Sequence, residues 1–121
     1  MKIRGFEVVK RLEEYKDEIV LPTRSTKASA GYDFVAVEDM EIPSIFSQLG
    51  SKAVSNMFSS WTFPEIKPTL VKLGVKAYMQ DYEVLCLYNR SSNPKKLGLI
   101  VANSVGVVDS DYYENPDNDG E

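Results

Sequence analysis

Three short segments of the chain combine residue types that could bind and hydrolyse an anionic substrate. In AGYDFVA, Asp33 follows a glycine that permits an unusual backbone turn immediately before an apolar run. In NRSSNPKKLGL, Ser91 and Ser92 stand at a predicted helix start, where backbone amides face outward and form an anion cradle. Positive charge is added in this segment by Arg90, Lys95 and Lys96.

The third segment, NSVGVVDSDY, contains an amide and a carboxylate on one predicted hairpin. The Asn103 side chain offers a donor and an acceptor together, as pairing with a pyrimidine edge requires. Asp109 follows Val107 and Val108, two valines that we predict to be buried. At that position the carboxylate could orient or deprotonate a water molecule.

Each segment also has an ordinary structural explanation. Asp33 is typical of a carboxylate that caps a turn, and serines followed by lysines are typical of a capped, solvated helix. Asp109 and Asp111 are typical of turn acids, and Tyr112 of an edge aromatic. Taken one at a time, the segments favour this structural explanation over a role in binding or catalysis.

Composition limits the chemistry that the chain can perform. There is one cysteine, Cys86, and no histidine, so an internal disulfide framework, serine–histidine triads and ordinary zinc sites are excluded. An enzyme of this composition must use carboxylates, backbone amides and a metal bound through oxygen.

Length and charge limit the partners. A chain of 121 residues fits one domain, residues 1–121, and its net charge of −4 gives no clustered positive charge for general nucleic-acid binding. No segment approaches the roughly 20 apolar residues of a membrane span, and the N-terminus lacks a signal-peptide pattern. We therefore expect a cytoplasmic protein with neither nucleic acid nor a membrane as partner.

The order of the elements predicts an all-β sandwich or barrel with one helical insertion. Apolar alternation is cleanest from Val71 to Met79, and Asn93-Pro94 predicts one or two helical turns that end at Gly98. A turn is predicted at Gln80-Asp81, and a tight hairpin at Asn103-Ser104. The other predicted strands are residues 2–10, 32–37, 83–88, 99–102 and 105–109.

The predicted insertion is a helix over residues 44–61, with Ser44 as its N-cap. Its apolar residues recur every four positions, and we expect this face to be largely buried. The alternative is a surface that contacts a partner such as a regulatory protein. The stripe consists of Ile45, Leu49, Ala53, Met57 and Trp61.

Taken together, the three segments resemble the first three motifs of the homotrimeric dUTP diphosphatase (dUTPase) family in order and nearly in spacing. AGYDFVA resembles motif one, RSSNPKKLGL motif two and NSVGVVDSDY motif three, which is the most specific match. The similarity extends from Leu21 to Tyr113, with the helical insertion between motifs one and two. The sequence RSS, followed by Asn-Pro, is similar to that of motif-two variants from Gram-positive bacteria and their phages.

The resemblance implies a jelly-roll-like β fold, active sites between the subunits of a homotrimer, and hydrolysis of dUTP to dUMP and pyrophosphate. It also implies that Asn103 reads the uracil edge and that Tyr112 stacks under the deoxyribose and excludes a 2′-hydroxyl. The substrate pocket would further contain Gly106, Val107 and Val108.

For the chemical step, the resemblance implies that Asp109 holds and activates the water that attacks the α-phosphorus. Asp33 would act through waters on Mg²⁺, which bridges the phosphates and neutralises charge on the leaving pyrophosphate. The phosphates themselves would be held by Arg90, Ser91 and Ser92.

Two family motifs, the fourth and the glycine-rich fifth, are not found before Glu121. We therefore expect a domain truncated at its C-terminus, which binds nucleotide but turns it over poorly. Two alternatives stay open: a non-catalytic nucleotide- or protein-binding module on the same fold, and a dCTP deaminase relative. The NSVGVVDSDY segment argues against the deaminase.

Overall fold

The computed structural model describes residues 2–50 and 66–121. The chain divides into two compact units, of which the first joins Met1–Val37 to Lys72–Glu121 and the second is Glu38–Val71. All residues that the sequence singled out for chemistry belong to the first unit. Among the described residues, no helix is long and apolar enough to cross a membrane.

The first unit contains two antiparallel strand pairs. Strand β1 (Gly5–Val8) pairs with β2 (Val75–Tyr78), and β3 (Val84–Tyr88) pairs with β4 (Val105–Asp109). A turn joins β2 to β3, closed by a 2.9 Å hydrogen bond from the Glu83 N–H to the Gln80 carbonyl. This turn confirms the one predicted at Gln80-Asp81.

Short helical segments connect the strands. A 3₁₀ helix at Lys10–Tyr15 follows β1, and another at Ser110–Glu114 follows β4. Between β3 and β4 lies a five-residue π-helical segment, Asn93–Leu97, which ends at Gly98 with a left-handed φ of 65°. The predicted helical turns and their glycine terminus are therefore confirmed.

Two predicted strands are wrong. Residues 32–37 form no strand, since only Asp33 makes a bridge there, to Thr23. Residues 99–102 form none either, because the Leu99 N–H donates to the Asn93 carbonyl at 3.2 Å and the Leu99 carbonyl accepts from the Asn89 side chain at 3.0 Å. Backbone groups engaged in closing this loop are not available to a sheet ladder.

The predicted hairpin at Asn103-Ser104 is therefore only partly correct. These residues do form a turn, with Ser104 at a φ of 65°, but the strand that β4 pairs with is β3. The long predicted strand from Val71 begins only at Val75, because Gly74 has a φ of 67° and breaks the extended backbone. Val107 is 64% exposed, so the prediction that both valines before Asp109 are buried is wrong.

In the second unit, residues 45–50 are helical. The Ser44 hydroxyl accepts a 3.1 Å hydrogen bond from the Ser47 N–H, which confirms Ser44 as the N-cap. Ile45 is 52% exposed, so the predicted burial of the stripe is wrong at this position, whereas Leu49 is half-buried. Ala53, Met57 and Trp61 lie outside the described residues.

The most buried part of the first unit contains a charged side chain. Besides Val9 and Val75, the buried residues include Lys76, which is only 6% exposed. Its ammonium group lies 2.9 Å from Oδ1 of Asp119 and 4.3 Å from the centre of the Tyr113 ring. Lys76 alternates with apolar residues along the predicted strand, a pattern typical of a solvent-facing side chain, but the structure buries it.

Asp119 is the acceptor that compensates this buried charge. Its Oδ2 accepts a 2.8 Å hydrogen bond from the Lys10 N–H, and the Lys10 ammonium lies 3.3 Å from Oδ1. Burial alone raises the pKa of the Asp119 carboxyl, but the hydrogen bonds from Lys10 and Lys76 outweigh it and lower the pKa to about 2. Glu121 is held similarly, since its carboxylate binds Arg11 and accepts from the Gly74 N–H at 2.8 Å.

We predict that Asp119→Asn lowers the free energy of unfolding by about 2–4 kcal/mol, because it leaves the Lys76 ammonium buried without a counter-charge. Denaturant unfolding at pH 7 measures this loss. Asp117→Asn is the matched control, since Asp117 is exposed in the same segment, and it should change stability by less than about 0.5 kcal/mol.

The contact between Asp119 and Lys76 also predicts how the free energy of unfolding depends on pH. A folded pKa of about 2 against an ordinary 3.8 means that the contribution of Asp119 is complete above about pH 5 and is lost progressively as the pH falls through about 2. This contribution is on the order of 2 kcal/mol. Asp119→Asn should flatten the acid limb of the stability profile, and an unchanged limb would contradict the assignment.

Candidate functional site

The β3–β4 ribbon positions most of the candidate residues. Its register pairs Val84 with Asp109 at one end and Tyr88 with Val105 at the other. Arg90 follows β3 at the Val105 end. The candidates therefore fall into two groups, one at each end of the ribbon.

At the Val105 end, Arg90 lies near the motif-one carboxylate. Its Nη1 is 3.9 Å from Oδ2 of Asp33, and the two side chains are 66% and 45% exposed. The backbone of Asp33 is fixed by a 2.8 Å hydrogen bond from its N–H to the Thr23 carbonyl. A pair this exposed contributes about 0–1 kcal/mol to stability, so both groups remain accessible to a ligand.

The segment after Arg90 is closed by side-chain amides. Asn93 donates to the Asn89 side-chain oxygen at 3.0 Å, and the Asn93 N–H donates to the Arg90 carbonyl at 2.9 Å. Ser91 is exposed, and Ser92 stands at the N-cap without making a side-chain capping bond. The helical segment has five residues, so the cations and hydroxyls, rather than a helix dipole, make this segment suited to an anion.

Asn103 lies at the same end of the ribbon, in the turn before β4. Its carbonyl accepts a 2.7 Å hydrogen bond from the Val105 N–H, which fixes its backbone. In the part of the chain that the structure describes, its exposed side-chain amide makes no hydrogen bond. Gly106 faces Leu87 closely, because a Cβ added there would lie 3.1 Å from the Leu87 Cβ.

Asp109 lies at the other end, where it precedes the 3₁₀ helix Ser110–Glu114. It is exposed and makes no side-chain capping bond to that helix. It borders an open polar pocket of about 420 Å³, whose other lining residues are Asp81, Glu83, Ser110 and Asp111. Within residues 2–50 and 66–121 the carboxylate therefore accepts from no backbone amide and is accessible to water or a ligand.

Tyr112 and Tyr113 follow Asp109 on this helix and have different partners. The Tyr112 hydroxyl accepts a 2.7 Å hydrogen bond from Nδ2 of Asn118, whereas the Tyr113 hydroxyl donates to the Glu7 carboxylate. Burial, followed by the negative charges of Glu114 and Asp119, raises the pKa of Tyr113. The sequence does not single out Asn118, because the surrounding segment is simply acidic and rich in turn residues.

Arg90 and Asp109 are not brought together within one chain. Four residue steps separate Val84 from Tyr88, which is about 14 Å of extended strand, and Arg90 lies beyond that. Asn103 and Asp109 do flank one strand, β4, as expected for an amide and a carboxylate on one predicted hairpin. The ribbon thus separates a cationic, hydroxyl-rich end from a carboxylate–tyrosine end.

These features define a mostly β protein whose accessible polar groups lie at both ends of a two-stranded ribbon. Over 121 residues the chain is 50% identical to the deoxyuridine 5′-triphosphate nucleotidohydrolase of Lactococcus lactis subsp. lactis (strain IL1403). That match covers 99% of this chain, which spans 65% of the length of the curated relative. No family model matches the chain.

A solved structure agrees with this similarity. The crystal structure of dUTPase from Streptococcus mutans superposes with a TM-score of 0.69 at 44% identity, covering 96% of this chain and 72% of the other. The chain therefore belongs to the dUTPase family. This finding confirms the resemblance that the three motifs carry and the all-β fold class.

Proposed function

We propose that the protein hydrolyses dUTP to dUMP and pyrophosphate. The observation that carries the proposal is that three motif side chains, those of Ser92, Asn103 and Asp109, make no structural bond within the described part of the protein. Among the described residues, the Asp109 carboxylate and the Ser92 hydroxyl cap no helix, and Asn103 binds no protein group through its amide. Turn acids and helix caps would be engaged in such bonds, so the ordinary structural explanation loses its support.

Recognition of the nucleoside is assigned to β4 and its two flanks. Asn103 pairs with the uracil edge, and Tyr112 packs against the deoxyribose. The pocket between them is completed by Gly106, Val107 and Val108. The close approach of Gly106 to Leu87, at 3.1 Å for an added Cβ, supports a tight backbone that refuses a methyl at the fifth carbon of the base.

Binding of the triphosphate is assigned to the Val105 end of the ribbon, the end opposite Asp109. Arg90 provides charge-assisted hydrogen bonds to phosphate oxygens, with Ser91 and Ser92 as further donors. The exposure of Arg90, 66% of its side chain, supports this role, because a guanidinium already committed to a buried carboxylate would not be available.

Asp33 fits a magnesium ion that is held mainly by the substrate. No group of three or more metal-binding side chains exists in residues 2–50 and 66–121, so a cage made by the protein alone is not found there. Mg²⁺ commonly retains waters and uses one or two carboxylates together with substrate phosphates, which matches a single half-exposed aspartate. When bound, the ion neutralises charge on the phosphates.

In the chemical step, Asp109 orients a water molecule in line with the α-phosphorus and accepts its proton. The water oxygen forms the new bond to phosphorus as the bond to the bridging oxygen breaks, which releases pyrophosphate and leaves dUMP. Without histidine in the chain, a carboxylate is the side chain suited to this task.

The separation of the two groups supports a site shared between subunits of a homotrimer. Arg90 of one copy would then meet Asp109 of another, which one chain cannot arrange. The ribbon also exposes apolar area, with Val84, Tyr88 and Val107 at 53%, 72% and 64%. A two-stranded ribbon is marginally stable in water, and contact with further copies would cover these side chains.

We predict that the full-length protein releases pyrophosphate from dUTP in a magnesium-dependent manner, with kcat/KM at least about 100-fold lower for dTTP, dCTP and UTP. The physical reason is that Asn103 and its turn read the base and Tyr112 reads the sugar. Steady-state assays with and without EDTA measure this. Tight dUTP binding without pyrophosphate release would instead support a non-catalytic module.

We predict that Asp109→Asn lowers kcat by roughly 10²- to 10⁴-fold, because the amide keeps size and hydrogen bonding but cannot accept the proton. Binding of a non-hydrolysable dUTP analogue, measured by calorimetry, should change much less. Asp117→Asn removes the same charge from an exposed position and is the control. Near-normal kcat in Asp109→Asn would move the base elsewhere, with Asp111 the next candidate.

We predict a homotrimer for the full-length protein in sedimentation equilibrium. Because the site is shared, mixing an Arg90→Ala variant with an Asp109→Asn variant after partial denaturation should restore part of the activity. A stable monomer, or an active monomer, would contradict the shared site.

A further inference from the structure

We propose that Asn118 is a positioning residue that fixes the Tyr112 ring and thereby sets the preference for a 2′-deoxy sugar. The inference rests on the proposed function, in which Tyr112 packs against the deoxyribose. Its basis is the 2.7 Å hydrogen bond from Nδ2 of Asn118 to the Tyr112 hydroxyl.

Asn118 is itself held in place on its other sides. Its Oδ1 accepts a 3.1 Å hydrogen bond from the Gly120 N–H, and its Nδ2 also donates to the Glu121 carbonyl at 3.1 Å. The next residue, Asp119, is fixed by Lys10 and Lys76. An amide held at both of its polar atoms reaches Tyr112 from a preorganised position.

The backbone of the same segment lies directly against the helix that carries Tyr112. A Cβ added at Gly120 would come within 2.6 Å of the carbonyl oxygens of Tyr112 and Tyr113, so only glycine fits there. Gly120 also has a φ of 85°, which favours glycine independently. The segment from Asn118 to Gly120 is therefore packed closely against this helix.

The other side of the helix is held by different contacts. The Tyr113 hydroxyl donates to Glu7 on β1, and the Tyr113 ring lies over the Lys76 ammonium. These contacts fix the backbone of the helix, whereas Asn118 fixes the Tyr112 ring. Loss of the Asn118 amide should consequently loosen the ring without removing the helix.

A fixed phenol ring excludes a 2′-hydroxyl because neither can move to make room for the other. A ring that has lost its hydrogen bond can rotate or shift, and a ribose then fits more easily. A hydrogen bond between neutral groups is worth about 0.5–1.5 kcal/mol, so the expected loss in discrimination is roughly 3- to 10-fold.

The test is the ratio of kcat/KM for dUTP to that for UTP in Asn118→Leu, which keeps size and removes the amide. We expect this ratio to fall roughly 3- to 10-fold. The ratio of dUTP to dTTP should stay unchanged, because the base is read by Asn103. If Asn118 had only a structural role, its loss would lower kcat/KM for dUTP, UTP and dTTP by the same factor and would change neither ratio.

Two further variants make the test specific. Tyr112→Phe removes the same hydrogen bond from the other side, and the double variant with Asn118→Leu should be no less selective than the single ones. Asn115→Leu is the matched control, since the Asn115 side chain accepts from the Asp117 N–H at 3.0 Å and makes no hydrogen bond to Tyr112. It should leave the sugar ratio unchanged.

The outcomes separate this inference from the proposed function. If the wild type hydrolyses dUTP and neither Asn118→Leu nor Tyr112→Phe changes its sugar ratio, the role of Asn118 is overturned while the proposed function stands. Additive losses in the double variant overturn it as well. A wild type that does not hydrolyse dUTP rejects the proposed function and this inference with it.

Discussion

The ammonium group of Lys76 lies in the most buried part of the first unit, and its contact with Asp119 at 2.9 Å is the interaction on which the surrounding structure depends. A buried charge without a partner costs several kcal/mol, which is a large part of the stability of a small domain. Asp119 lies 43 residues further along the chain. The pair therefore holds the segment around Asp119 against β2, although that segment reads as a polar turn.

The consequence reaches the candidate site through the 3₁₀ helix Ser110–Glu114. Tyr113 on this helix covers Lys76, and Tyr112 beside it binds Asn118, the neighbour of Asp119. The helix begins directly after Asp109. A single buried ion pair thus helps to fix the position of the proposed base and of the proposed sugar-contacting ring, although neither residue contacts Lys76.

A second constraint is the length of the β3–β4 ribbon. Five paired positions keep Arg90 and Asp109 apart, so one chain presents the proposed phosphate-binding groups and the proposed base at opposite ends. In the proposed homotrimer this separation has a direct use, because each copy would supply one half of two different sites. Contacts between copies in that homotrimer would also cover the exposed apolar side chains of the same ribbon.

The sequence by itself determined the features that are decided within a few residues: the Ser44 cap, the turn before β3, the left-handed Gly98 and the three motifs that identify the family. Only the tertiary structure decided that Lys76 is buried, that residues 99–102 close a loop instead of forming a strand, and that Asn118 binds Tyr112. The physical reason is the same in each case. A cap or a positive φ depends on the residue and its neighbours, whereas the partner of a lysine, a backbone carbonyl or a tyrosine hydroxyl is selected by which distant segments pack together.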